Sequence, residues 1–183
     1  MVDAPMPAGA PAYTVTARTL HWITAVLVLI QIPLGLLVVN FEFSGKETLY
    51  NLHKSIGATL IPIIVFRLFY RLTHPPAPLP PDVPQLQALA AHGLHWTLYT
   101  LLVVQGMLGW IATSAYPAPI PVFGLFEMPH IWGENRALSD QLFVVHRFIG
   151  IALAFLLVGH VSAALFHHFV RRDRVLMRMV SGG

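Results

Sequence analysis

Cysteine is absent from the 183 residues. That excludes disulfides, thiolate zinc sites, cysteine-held iron–sulfur clusters and covalently attached c-type haem. Charge is also scarce. Asp, Glu, Lys and Arg make up 10% of the chain, against about 25% in ordinary soluble domains. No basic run is present that could track a phosphate backbone, and no polar domain that could carry one, so nucleic acid is excluded as a partner. The formal charge of +3 is mild. A basic leader is missing as well: Met1 to Thr16 is rich in Pro and Ala, and residues 1–16 read as a disordered lead-in, not a cleavable signal.

What remains is apolar. Hydrophobic residues form 56% of the chain and the mean hydropathy is +0.66. A chain this short cannot hide so much apolar surface from water, so its solvent is lipid. Four stretches reach the ~20 residues that a bilayer core requires: Leu20–Phe41, Leu52–Leu72, Leu89–Tyr116 and Leu142–Val170. They lack barrel alternation, which leaves helices. The expected fold is all-α, an integral membrane four-helix bundle over residues 17–180. Pro33 and Pro62 fall inside spans, where membrane helices tolerate them. The segment Thr73–Pro84 is proline-dense and should be extended and stiff. The long connection Pro117–Asp140 has room for a short amphipathic segment at the interface. No internal repeat is read from the sequence.

Basic residues set the orientation. Arg18, Arg67, Arg71, Arg171, Arg172, Arg174 and Arg178 fall on one side; Lys46, Lys54, Arg136 and Arg147 share the other with most of the acids. The positive-inside rule then puts both termini in the cytoplasm.

The ten histidines outnumber the eight carboxylates, and histidine inside a membrane is costly unless it is used. His146 and His160 are fourteen residues apart. On a helix that step falls about 40° short of four full turns and rises about 21 Å, so both rings share a face at two depths. By depth, His21 pairs with His160 and His53 with His146. Neutral imidazole suits haem iron, and two imidazoles fill both axial positions, giving an electron-transfer centre and not an oxygen-activating one. His95 competes as a ligand. A lone histidine bonded to a neighbouring carbonyl is the plain alternative for any one of these residues. Zinc and a histidine-lined metal-ion transporter are disfavoured by the near absence of carboxylates in the spans. His95 and His167, with Trp22 as a stacking surface, also suit a quinone pocket, since a quinone being reduced needs proton donors at its oxygens.

The stretches Leu20-His21-Trp22, Asn51-Leu52-His53-Lys54-Ser55-Ile56-Gly57, Arg67-Leu68-Phe69-Tyr70-Arg71, His92-Gly93-Leu94-His95, His146, Gly159-His160 and His167-His168 with the basic tail together resemble the bacterial cytochrome b561 family. The resemblance runs from Arg18 to Val180. It implies an inner-membrane oxidoreductase with two b haems, one on His21 and His160 and one on His53 and His146. It further implies electron exchange with ubiquinone and, in one branch, oxidation of periplasmic superoxide to oxygen. A second possibility is a haem-bearing membrane anchor that takes electrons from a partner dehydrogenase or hydrogenase.

Overall fold

The computed structural model describes residues 13–75 and 83–182. The lead-in up to residue 12 and the centre of the proline segment, residues 76–82, lie outside the described residues.

Four long helices dominate: α1 Val15–Asn40, α2 Lys46–Thr73, α3 Gln85–Ala115 and α4 Arg136–Phe166. A π-helical turn, His167–Arg171, extends α4, and a short α5 follows at Met177–Val180. Each long helix starts several residues before its apolar stretch, because polar first turns continue beyond the hydrocarbon. Thr14 caps α1 by accepting from the Ala17 N–H, and Asn135 caps α4 by accepting from Leu138 N–H. Gly45, at φ 88°, makes the left-handed turn that lets α2 follow α1 after only a few residues. Because α3 begins at Gln85, His92 and His95 sit two to three turns inside it, not at its start.

Lipid remains the required solvent once the chain is folded. In no span is more than 28% of the most apolar window buried within the protein. Phe155, Phe148 and Phe69 are 75%, 69% and 61% exposed. Water would not tolerate so continuous an apolar surface. The interior is thin: Val28, Leu34, Val38, Ile56, Leu60 and Ile64 form a seam between α1 and α2. Pro33 and Pro62 leave both helices unbroken.

The long connection after α3 folds as a hairpin, not as the amphipathic segment its composition suggests. Strands Pro121–Val122 and Phe126–Glu127 pair antiparallel, with Val122 opposite Phe126. Phe123 and Gly124 take φ 51° and 72°, the mirror-image turn geometry suited to a tight hairpin. Ser55 of α2 pins it twice, donating to Pro121 O at 2.8 Å and accepting from Phe123 N–H at 3.1 Å. At the opposite end, the tail folds back on α1: Trp22 donates to Met179 O and Arg18 to Val180 O. Both described chain ends therefore lie at one end of the bundle, and the hairpin lies at the other.

Candidate functional site

Two histidine pairs form across the bundle. The rings of His53 on α2 and His146 on α4 are 6.4 Å apart, centre to centre, near the hairpin. The rings of His21 on α1 and His160 on α4 are 6.2 Å apart at the other end. Imidazole nitrogens about 2 Å from a shared metal ion, with each ring centre about 1.1 Å further out, would put ring centres roughly 6.2 Å apart. These are the two pairings expected from depth. Among the described residues no three His, Asp or Glu gather closely enough to hold one ion.

The pair near the hairpin borders a cavity of about 410 Å³ with a largely apolar lining, Gln31, Gln105, Lys54 and Arg147 being its main polar members. The imidazole of His146 is turned by its Nδ1, 3.1 Å from Gln105 O. If Nδ1 donates there, Nε2 keeps its lone pair for a metal. Glycine makes room for both rings. A Cβ on Gly35 would stand 2.7 Å from His53 Cε1, and one on Gly109 would stand 3.1 Å from His146 Cε1. Side-chain oxygens of Gln31 and Gln105, with His53 Nδ1, are buried without a partner. Such orphans are uncommon in a finished interior. Facing imidazoles, glycines that make room for them, an apolar cavity and unsatisfied polar atoms together fit a large planar group such as haem.

The other end is built differently. Arg67 donates to His21 Nδ1 at 2.8 Å, so Nδ1 accepts, and binding a metal through Nε2 would require the guanidinium to turn aside or the ring to lose its proton. The guanidinium lies 5.0 Å from the Tyr99 ring centre. His95 packs edge-on to His160 at 5.3 Å, with its Nδ1 2.6 Å from Ala91 O. His95 thus joins the His21/His160 cluster, closer to His160 than His21 is. Trp22 lies 5.2 Å from the His21 ring and spends its indole N–H on Met179 O. His167 is committed to Asp173, Nδ1 to carboxylate at 2.5 Å, and Arg171 donates to the same oxygen. Of the three residues expected at a quinone, Trp22 and His95 both border the His21/His160 cluster, while Trp22 also bonds the tail and His167 is paired with Asp173. Outside the spans, burial alone would raise the Asp173 carboxyl, but hydrogen bonds from His167, Val175 N–H and Arg171 outweigh it and hold the group below its ordinary value.

Gln31, Gln105 and Arg67 escape a histidine-centred reading. Their signal was spacing: Gln-x-x-Leu-Gly occurs on both α1 and α3, and Arg67 follows His53 by the same fourteen residues that separate His146 from His160.

A family model for prokaryotic cytochrome b561 matches residues 12–182. The chain belongs to the prokaryotic cytochrome b561 family. It is 34% identical over 171 residues to cytochrome b561 homolog 2 of Escherichia coli K12, covering 92% of this chain and 90% of that protein. A protein of Yersinia pestis named as a probable superoxide oxidase is 28% identical over 161 residues, covering 88% and 91%. Cytochrome b562 of Cereibacter sphaeroides is 26% identical over 178 residues, covering 93% and 96%. As a cytochrome b561 family member, the chain is a multi-pass membrane protein of transmembrane electron transfer, with haem b as its class of cofactor.

Proposed function

We propose that this cytochrome holds two b haems, one between His53 and His146 and one between His21 and His160. It carries electrons from superoxide at the hairpin face to ubiquinone, with both termini in the cytoplasm. The observation that carries this is the pair of ring separations, 6.4 and 6.2 Å, at the two ends of one bundle. Bound there, haem b would accept and release one electron at a time. The electron count closes: two superoxide ions each lose one electron to become oxygen, and two electrons with two protons turn quinone into quinol.

The chain's own residues prepare each end. Lys54 and Arg147 directly follow the paired histidines and line the same cavity. Lys54 is held by Pro119 O and Arg147 by Asn40 Oδ1. Two cations on the cavity wall favour an anionic donor over a neutral one, against the carboxylates of Glu47 and Glu127 close to Lys54. Ile120 and Met128, which flank the hairpin pinned by Ser55, line the same cavity. At the tail end, His95 offers a second imidazole beside His160, placed to pass a proton to a quinone oxygen.

Haem content decides the reading. Purified protein should contain two b haems per chain, His146→Ala should lower that to one, and superoxide should reduce the haems faster than it dismutes. One haem or none in the unaltered protein would overturn it. The anchor-subunit reading draws on one feature, the exposed hairpin tip of Phe123, Leu125 and Phe126 at 53, 81 and 60%. It requires a soluble partner that co-purifies in stoichiometric amount.

A further inference from the structure

Contrary to the expectation of no internal repeat, the two halves of the bundle repeat one another. Leu20-His21-Trp22 on α1 recurs as Leu94-His95-Trp96 on α3; at identical spacing, Gln31 and Gly35 recur as Gln105 and Gly109. On α2, His53-Lys54-x-Ile56-Gly57 recurs on α4 as His146-Arg147-x-Ile149-Gly150. The backbone contacts repeat with the residues, while the ring contacts differ: Gln31 Nε2 also lies 3.3 Å from His53 Nε2, and His146 Nδ1 instead lies 3.1 Å from Gln105 O. Gln31 Nε2 donates to His53 O at 2.9 Å, and Gln105 Nε2 donates to His146 O at 2.9 Å. A Cβ on Gly57 would meet the Gln31 amide nitrogen at 3.1 Å, and one on Gly150 would meet that of Gln105 at 3.2 Å. Both glutamine oxygens are buried and unpartnered, and both glutamines line the same cavity.

We infer that the bundle is two copies of one helical hairpin, and that Gln31 and Gln105 are equivalent positioning residues for the His53/His146 site. This rests on reading those histidines as haem ligands. A helix carbonyl already accepts from the amide four residues on. The glutamine N–H is a second bond to that carbonyl, made from the neighbouring helix. It ties α1 to α2 and α3 to α4 at the height of each imidazole, and glycine one turn beyond the histidine leaves space for the amide to reach in. Each ring is thereby fixed along its helix axis by the opposite member of its hairpin. Each glutamine oxygen is left at the cavity wall as a dipole of the same sign on either side of the centre. Hydrogen bonding and dipoles around a ligand set both its orientation and the potential of the iron it holds.

The roles can be tested by redox titration and low-spin electron paramagnetic resonance of the whole protein in membranes, comparing Gln31→Leu, Gln105→Leu and the double variant with the unaltered chain. The second haem serves as internal reference. Each single change should shift the oxidised-to-reduced ratio of the His53/His146 haem at least threefold at fixed potential, about 30 mV for one electron. Each should also move that haem's resonance, and the second haem should not follow. A shift from one glutamine and not the other overturns the equivalence. If neither shifts it, the positioning role falls, even where His146→Ala still removes one haem. If His146→Ala leaves haem content unchanged, the ligand assignment itself has failed. Should a leucine variant not load, the shape-conserving Gln→Met change is read in the same way.

Discussion

Arg67 and His160 hold corresponding places, one fourteen residues after His53 and the other fourteen after His146. Where one half of the bundle supplies an imidazole, the other supplies a guanidinium, 2.8 Å from His21 Nδ1. The tail end thus carries three histidines and a fixed positive charge. That charge favours the reduced, less positive state of an iron centre beside it. At an effective dielectric near 20 and a separation of about 6 Å, a unit charge is worth on the order of 2–3 kcal/mol. Arg67→Leu should lower the midpoint potential of the tail-end haem by roughly 50–100 mV, allowing for partial solvent screening. Arg67→Lys should lower it less. Redox titration of the two haems in membranes checks this; an unchanged or raised tail-end potential would mean that the charge is not coupled to the iron.

Gly35 and Gly109 make the same contact with different clearance, 2.7 Å against 3.1 Å to the facing imidazole. Gly35→Ala must displace His53 or its helix, whereas Gly109→Ala asks the His146 ring to yield a few tenths of an ångström. Overpacking of this kind costs about 1–3 kcal/mol. The alanine at 35 should therefore reduce haem occupancy of the hairpin-end site well below that of the alanine at 109. Haem-to-protein ratio by pyridine haemochrome, measured on both variants, reads the order directly. Equal occupancy would show that the backbone at 35 relaxes freely.

Much of this was legible beforehand for a physical reason. In lipid, the length of an apolar run and the depth of a histidine along it are nearly one-dimensional quantities, so the four spans and the His21/His160 and His53/His146 partnerships follow from counting. The hairpin at Pro121–Glu127 was not legible, since its two-residue strands are held by Ser55 from a distant helix. Gln31 and Gln105 were obscured because a glutamine in a span reads as polar ballast until its carbonyl partner across the bundle is known. Depth along a span fixes the end of the bundle at which a residue lies and not the face it presents. His167 was claimed by Asp173, six residues on, after the π turn redirected the chain.

Lys54 and Arg147 line the cavity at the proposed donor end, and steering by fixed charge acts on encounter rate. With superoxide as donor, replacing both by Met should slow the second-order haem reduction by about 10-fold at low salt. It should also flatten the dependence of rate on ionic strength, because screening has less left to screen. Pulse radiolysis or stopped flow across a salt series separates this from a general loss of function. A neutral small-molecule reductant should reduce the double variant at the same rate as the unaltered protein. If both donors slow equally, the two residues support structure and do not steer.

Asp173 ties the π turn to the tail. Its carboxylate accepts from His167, Arg171 and the Val175 N–H, and the short α5 that follows rests on Trp22 and Arg18. Because the folded carboxyl is held below its ordinary value, its contribution is fully present above the unfolded value of about 3.9. It disappears as pH falls through the lower folded value. Amide hydrogen exchange over residues 174–181 should therefore be slow and steady at neutral pH, after correction for intrinsic exchange, and lose protection only in strong acid. Asp173→Asn should speed exchange of this segment at pH 7 by about 5–150-fold, the loss of roughly 1–3 kcal/mol of charge-assisted hydrogen bonding, while the spans stay protected. A variant whose tail exchanges as slowly as the unaltered protein would assign the anchoring to Trp22 and Arg18 instead.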